Sequence, residues 1–265
     1  MQYCRLQTTE GPQYAQVEDR SGEPWIARLI PSPWTDSPEA VSTSFTPGPL
    51  SDAQLLPPAS PSKIICVGRN YRDHAKELGN EVPTQPLLFF KPPSSLLAPG
   101  GTILLPPAAE RVDFEGELAI LIAKRARHLS QTDDLAPYIH GYTLANDVTA
   151  RDLQKKDGQW ARAKGFDTFC PLGPIVNTDL DPANLTLETH LNGELRQHGS
   201  TADFIFTLPV LFEFITSFMT LEPGDLLLTG TPAGVGPLAP GDTVSVTVTG
   251  LGTLTNPVSA EPIRP

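Results

Sequence analysis

The chain reads as a β-rich α+β protein, and three observations predict that class. Pro (29 residues) and Gly (21) punctuate all 265 residues, which implies many short strands and turns rather than a helical bundle. The apolar runs between those breakers are mostly short, as strands are. They also lie too close together for regular βαβ units, so strands and helices are expected to segregate. The length allows one large domain, or one large and one small, with an ample core. No repeat of fixed period is present.

Residues 1–30 are expected to form a few strands of a small appendage. The stretch PSPWTDSPEAVSTSFTPGPLSDAQLLPPASPS that follows is rich in Pro and Ser, and reads as an ordered linker or a wrapping segment. Residues 1–60 are therefore set apart as a small N-terminal domain and Pro-rich linker, and 61–265 as the main domain. From Lys63 the pattern sharpens. KIICVG suits a buried strand, and RNYRDHAKELGN suits a helix stopped by Gly79 and Asn80. Strands are predicted at PLLFFK, TILLP, VDFEGELAILIA and YIHGYTLANDVT, with a short helix at ARDLQKKDGQW. WARAKGFDTFCPLGP reads as a loop. LTLETHLNGELRQ is a hairpin about Asn192-Gly193, the dipeptide a type I′ turn prefers. TLPVLFEFITSFMTLEPGD is the clearest longer helix, stopped by Pro223 and Gly224, and DLLLTG, TVSVTVTG and GTLTNPV supply the last strands.

Thirty acids against nineteen bases give a net charge of −11, which argues against binding a phosphate backbone. A small ligand or a metal fits better. No window approaches roughly eighteen continuous apolar residues, and MQYCRLQTTEG lacks the basic and apolar regions of a signal peptide, so a cytoplasmic location is expected. Cys4, Cys66 and Cys170 are odd in number and scattered, as reduced, buried thiols would be.

The residues with chemical promise begin in RVDFEGELAILIA. Period-2 alternation puts Asp113, Glu115 and Glu117 on one side of a strand and Val112, Phe114, Leu118, Ile120 and Ile122 on the other. Glu115 and Glu117, roughly 6.6 Å apart along the strand, could grip one cation, or could belong to a solvated outer face. A third oxygen ligand is offered by Asp147 in LANDVTARDLQ, which could instead cap a helix starting near Thr149. Arg151 and Asp152 read as a possible surface pair. An all-oxygen set would favour Mg²⁺ or Mn²⁺ over Zn²⁺. His74 and Glu77 stand three apart, so on a helical turn they touch, and a carboxylate beside an imidazole suits a general base, although a solvated helix shows such pairs by accident. Lys164 and Gln154 are ordinary surface residues unless context says otherwise. In LLTGTPAGVGPL, Thr229 and Thr231 flank a Gly-rich turn whose N–H groups could bind a carboxylate. It matches neither a Walker A loop nor a dinucleotide-binding fingerprint.

Taken in order, CVGRNYRDHAKELG, PLLFFKPPSSLLAPG, DFEGELAILI, GYTLANDVTARDLQ, WARAKGFDTFCPLGP, NGELRQ and LEPGDLLLTGTPAGVG resemble the fumarylacetoacetate hydrolase superfamily, in its bacterial hydratase, isomerase and acylpyruvase-like branch. The resemblance implies a mixed β-roll or β-sandwich core, a small N-terminal β domain, and a homodimer. It implies Mg²⁺ or Mn²⁺ held by Glu115, Glu117 and Asp147, with His74, Glu77 and Lys164 catalytic and Arg69, Gln154 and Thr231 binding substrate. The partner implied is a small 2-oxo or 2,4-dioxo carboxylic acid, with no nucleic acid and no membrane. The expected activity is hydrolysis of a carbon–carbon bond in a 2,4-dioxo acid of the acylpyruvate or fumarylpyruvate type, releasing pyruvate enolate. Oxaloacetate decarboxylation or tautomerisation and 2-hydroxyhepta-2,4-diene-1,7-dioate isomerisation share that enolate and are alternatives. The competing class is a relative that binds metal and metabolite without turnover.

Overall fold

A computed structural model describes residues 1–34, 45–77, 79 and 81–262. The middle of the Pro-rich stretch, 35–44, and Asn80 of the expected helix stop lie outside the described residues. Among those described, the elements are strands with four α-helices: α1 (Arg72–Glu77), α2 (Arg151–Asp157), α3 (Ala161–Gly165) and α4 (Leu208–Phe218). No helix among them is long and apolar enough to cross a membrane.

One large mixed sheet runs in the order Gly48–Pro49, Glu23–Ile30, Gly11–Arg20, Gln2–Thr8, Cys170–Asn177, Ile139–Asn146, Gly116–Ile122, Leu226–Leu228, Ile64–Gly68, Leu87–Lys91. Leu226–Leu228 and Ile64–Gly68 pair in parallel. The first strands continue this sheet, since Gln2 and Tyr3 pair with Asn177 and Val176. A second sheet has five strands, Glu194–Ser200, Thr186–Leu191, Thr243–Val248, Gly252–Ala260 and Ile103–Leu105. A third joins Thr149–Ala150, Val112–Phe114 and Gly236–Pro237.

The expected single strand through RVDFEGELAILIA is in fact two. Val112–Phe114 belongs to the small sheet and Gly116–Ile122 to the large one, with Glu115 at the break. The solvated outer face is absent too. Leu118, Ile120 and Ile122 pack with Leu211, Phe212 and Ile215 of α4 and with Val246 and Val248 of the five-stranded sheet. On the opposite side Ala119 and Leu121 pack with Ile64, Cys66, Ala145 and Leu228. Each fully buried Leu or Ile contributes about 1.5–3 kcal/mol, so this strand is fixed from both faces and its carboxylates are carried on a rigid base. Asp113, read from sequence as an outer-face residue, is 1% exposed and ion-paired with Arg111 and Arg151.

Other elements depart from expectation for local reasons. Cys170–Asn177 is a strand, although Pro171, Gly173 and Pro174 make its sequence read as a loop; its pairing with Ile139–Asn146 shifts register between Tyr142 and Leu144, the irregularity that lets prolines sit inside a sheet. Ala161–Gly165 is a one-turn helix. α4 stops at Phe218, before Pro223, because Leu221 exchanges two 3.0 Å backbone hydrogen bonds with Ala126. The Asn192-Gly193 hairpin forms as predicted, with φ of 55° and 83°. All three cysteines are free and buried.

Candidate active site

Three carboxylates converge where the large and small sheets meet. Glu115 sits at the strand break, Glu117 is the second residue of Gly116–Ile122, and Asp147 follows Ile139–Asn146. One oxygen from each lies within 4.8 Å of the others, and all three residues are buried. The backbone enforces the meeting. Asp147 N–H donates to Glu115 O at 2.8 Å, and Glu115 N–H donates to Asn146 Oδ1 at 2.9 Å. Asp147 caps no helix: α2 begins at Arg151 after Ala150, with no side-chain cap bond.

Cations fill the space around these acids. Lys164, on α3 rather than in a loop, places Nζ 2.7 Å from Glu115 Oε2 and 2.6 Å from Asp147 Oδ2. Lys91 Nζ reaches the other side of Asp147, 2.7 Å from Oδ1 and 3.1 Å from Val148 O. Arg151 is no surface residue, since it binds Glu115, Asp113 and, at 3.1 Å, Gln154 Oε1. Burial alone would discharge Lys164, but Asp147 and Glu115 outweigh it and raise its pKa. Glu115 is likewise held below the usual carboxylate range, because Arg151, Lys164 and His74 overcome the cost of its burial. Glu117 goes the other way. Burial, then Asp147 and Glu115, push it well above 4.5, against a hydrogen bond from Gly230 N–H at 2.7 Å. A buried acid raised by two neighbouring acids, in a convergent set of three carboxylate donors, fits a hard divalent cation such as Mg²⁺ or Mn²⁺.

His74 stands on α1 with Nδ1 3.4 Å from Glu77 Oε2. Glu77 is fixed in turn by Gly234 N–H, at 3.0 and 3.2 Å from its two oxygens. The Gly-rich turn therefore does bind carboxylates, and they are the protein's own: Gly230 holds Glu117 and Gly234 holds Glu77. Burial lowers the His74 pKa, and Arg151 adds to this; Glu115 and Glu77 oppose them without prevailing. A pKa lowered from 6.5 favours the neutral ring near pH 7, and Nδ1 is the nitrogen that meets Glu77. Thr231 Oγ1 donates to Gly116 O and accepts from Gln197 Nε2, each at 2.8 Å. A cleft of about 480 Å³ is lined by Arg69, His74, Glu115, Glu117, Asp147, Gln154, Lys164 and Thr231, so eight of the nine predicted residues share it. Glu77, the ninth, meets it through His74.

Sequence reading missed Lys91, Arg151 and Asp113 as parts of this assembly. Asp113 shares the alternation of Glu115 and Glu117, and Lys91 closes the apolar run LLFF ahead of Pro92-Pro93, but no local pattern ties either to the site.

Residues 63–259 match the family model described as fumarylacetoacetate (FAA) hydrolase C-terminal. The chain belongs to the fumarylacetoacetate hydrolase family. The matched span holds the carboxylate trio, the His74–Glu77 pair and Lys164. Over 97% of its length, this family member is 46% identical to the protein Rv2993c of Mycobacterium tuberculosis, of which it covers 98%. It is 41% identical over 240 residues to oxaloacetate tautomerase YisK of Bacillus subtilis, covering 85% of this chain and 79% of that one. Among solved structures of the family's fold, 5-carboxymethyl-2-hydroxymuconate delta-isomerase from Mycobacterium smegmatis superposes with a TM-score of 0.87 at 42% identity, over 98% of this chain and 100% of that one.

Proposed function

We propose that this family member is a divalent-metal-dependent enzyme that moves a proton at the carbon beside the keto group of a small 2-oxo acid. Interconversion of the keto and enol forms of oxaloacetate is the reaction assigned. One observation carries the reading: a buried imidazole and a buried amine, His74 and Lys164, line the same acid-floored cleft, burial favouring the neutral ring and Asp147 and Glu115 favouring the charged amine. Keto–enol exchange needs a base for carbon and a positive charge beside the oxygen that becomes negative. His74 would take the proton from carbon and deliver it to the enolate oxygen, or run the same transfer from enol oxygen to carbon, with Glu77 fixing its tautomer. Lys164 would stand beside the developing enolate oxygen. A cation held by Glu115, Glu117 and Asp147 would supply Lewis-acid polarisation of the substrate's carboxylate and keto oxygens. Arg69 and Lys155, both lining the cleft, would meet the substrate's carboxylates. The activities in the names of the tautomerase and the isomerase, both proton relocations, support this choice.

Carbon–carbon hydrolysis is the second reading, and the His74–Glu77 pair favours it, since the same base could deprotonate water for attack on the distal carbonyl of a 2,4-dioxo acid. One assay panel separates them. With Mg²⁺ present, the protein is offered enol-oxaloacetate, acetylpyruvate and fumarylpyruvate while enol absorbance and pyruvate are followed. Loss of enol from oxaloacetate without pyruvate release is expected. Pyruvate released faster from a dioxo acid than enol is lost from oxaloacetate would select hydrolysis. Absence of turnover on all three would leave only a binding protein.

A further inference from the structure

The strand Glu194–Ser200 inverts the usual pattern of burial: Leu195 is 52% exposed while Gln197 is 0% exposed. A bulge causes this. Thr189 pairs with Gln197 and His190 with Leu195, so Arg196 is an extra residue that re-aims the chain. Every polar atom of the turned-in amide is used. Gln197 Oε1 accepts from Gly116 N–H at 3.0 Å, and Nε2 donates to Thr231 Oγ1 and to Pro232 O, each at 2.8 Å. Gly116 can only donate there and Pro232 can only accept, so the amide has one orientation.

Gly116 is the residue between two of the three converging acids. Its N–H goes to Gln197 and its C=O accepts from Thr231, which is itself held by Gln197. The result is a closed circuit of three hydrogen bonds around one residue. A third side is closed sterically, since a Cβ on Gly116 would lie 2.2 Å from Thr189 Oγ1.

We propose that Gln197 is a positioning residue, which sets the separation and aim of Glu115 and Glu117 by clamping Gly116 to Thr231 and Pro232. This rests on the reading of those acids as cation ligands. A group that orients ligands in this way commonly changes metal affinity by about 10–100-fold when removed.

The test is titration of metal-free protein with Mn²⁺, with free ion read by electron paramagnetic resonance, alongside thermal unfolding. Gln197→Met, which keeps length and loses all three bonds, is expected to bind Mn²⁺ at least tenfold more weakly at a temperature where it remains folded, with a lowered unfolding temperature because buried polar groups lose their partner. Thr231→Val is expected to do the same, and the double variant to be no worse than the weaker single, because both break one circuit. Unchanged affinity in Gln197→Met, while Glu117→Gln has lost binding, would overturn the role of Gln197 and leave the metal reading intact. Unchanged affinity in Glu117→Gln would overturn the metal reading and this proposal together. Should Gln197→Met fail to fold, unchanged affinity in Thr231→Val would overturn the circuit alone.

Discussion

Two residues show how groups at the site depend on their partners. His74 serves as a base only when neutral. Burial is the first cause of its lowered pKa, so the acid limb of kcat/KM is expected below the ordinary value of 6.5. The charge and hydrogen bond of Glu77 hold the pKa up. Glu77→Gln should therefore move that limb to still lower pH while reducing the plateau by about tenfold or more; a limb that moves upward, or stays put, would show that Glu77 does not act on His74. Lys91 is the second case. It lies behind Asp147 and outside the cleft lining, so it is a supporting charge. Lys91→Met leaves Asp147 Oδ1 buried without its cation, and breaking such a pair costs about 3–5 kcal/mol. The expected result is a large fall in denaturation midpoint, with a smaller loss of activity per folded molecule than Lys164→Met produces.

At the scale of elements, the site depends on how closely the strand Gly116–Ile122 approaches Thr186–Leu191. Thr189 Oγ1 is buried without a hydrogen-bond partner among the described residues, and a Cβ on Gly116 would meet it at 2.2 Å and both Val246 methyls at 3.1 Å. Gly116→Ala should lower both unfolding temperature and Mn²⁺ affinity. Thr189→Ala, which removes only an unpaired buried hydroxyl, should be nearly neutral or stabilising. The double variant should recover part of the loss, as seen by calorimetry; no recovery would place the strain elsewhere. This contact also shows what a sequence can and cannot disclose. Glu115, Glu117, His74 and Glu77 were legible because strand and helix periodicity are local. Lys91, Arg151 and Asp113 were not, because a charged residue is read as exposed until a distant partner is known. The break at Glu115 was invisible for a related reason: period-2 alternation runs unchanged through Asp113, Glu115 and Glu117, whereas a change of sheet is a matter of which strands lie alongside. Likewise Cys170–Asn177 was hidden by prolines that a register shift accommodates.

For the whole molecule, the buried acids set stability against function. Glu117 is pushed above 4.5 by burial and by Asp147 and Glu115. Below that value it is protonated in both folded and unfolded chains, and contributes no pH dependence. As pH rises, the unfolded chain releases the proton first while the folded one retains it, so metal-free stability falls until the folded pKa is passed. Glu117→Gln keeps an oxygen for Gly230 N–H and cannot ionise. In metal-free protein it should unfold at a higher temperature than the parent, by a margin that widens as pH rises above 4.5 and levels off once the folded pKa is passed. Added cation should reverse the order. Binding at about 100 times Kd stabilises by about 2.7 kcal/mol, which at about 2–4 °C per kcal/mol is a rise of about 5–10 °C in the parent and none in Glu117→Gln. Scanning calorimetry of both proteins at two pH values, with chelator or with Mg²⁺, measures all of this. A parent that is the more stable protein in chelator at pH 8 would mean that the acids are balanced by Lys164, Lys91 and Arg151 alone, and that the fold has no thermodynamic need of a cation.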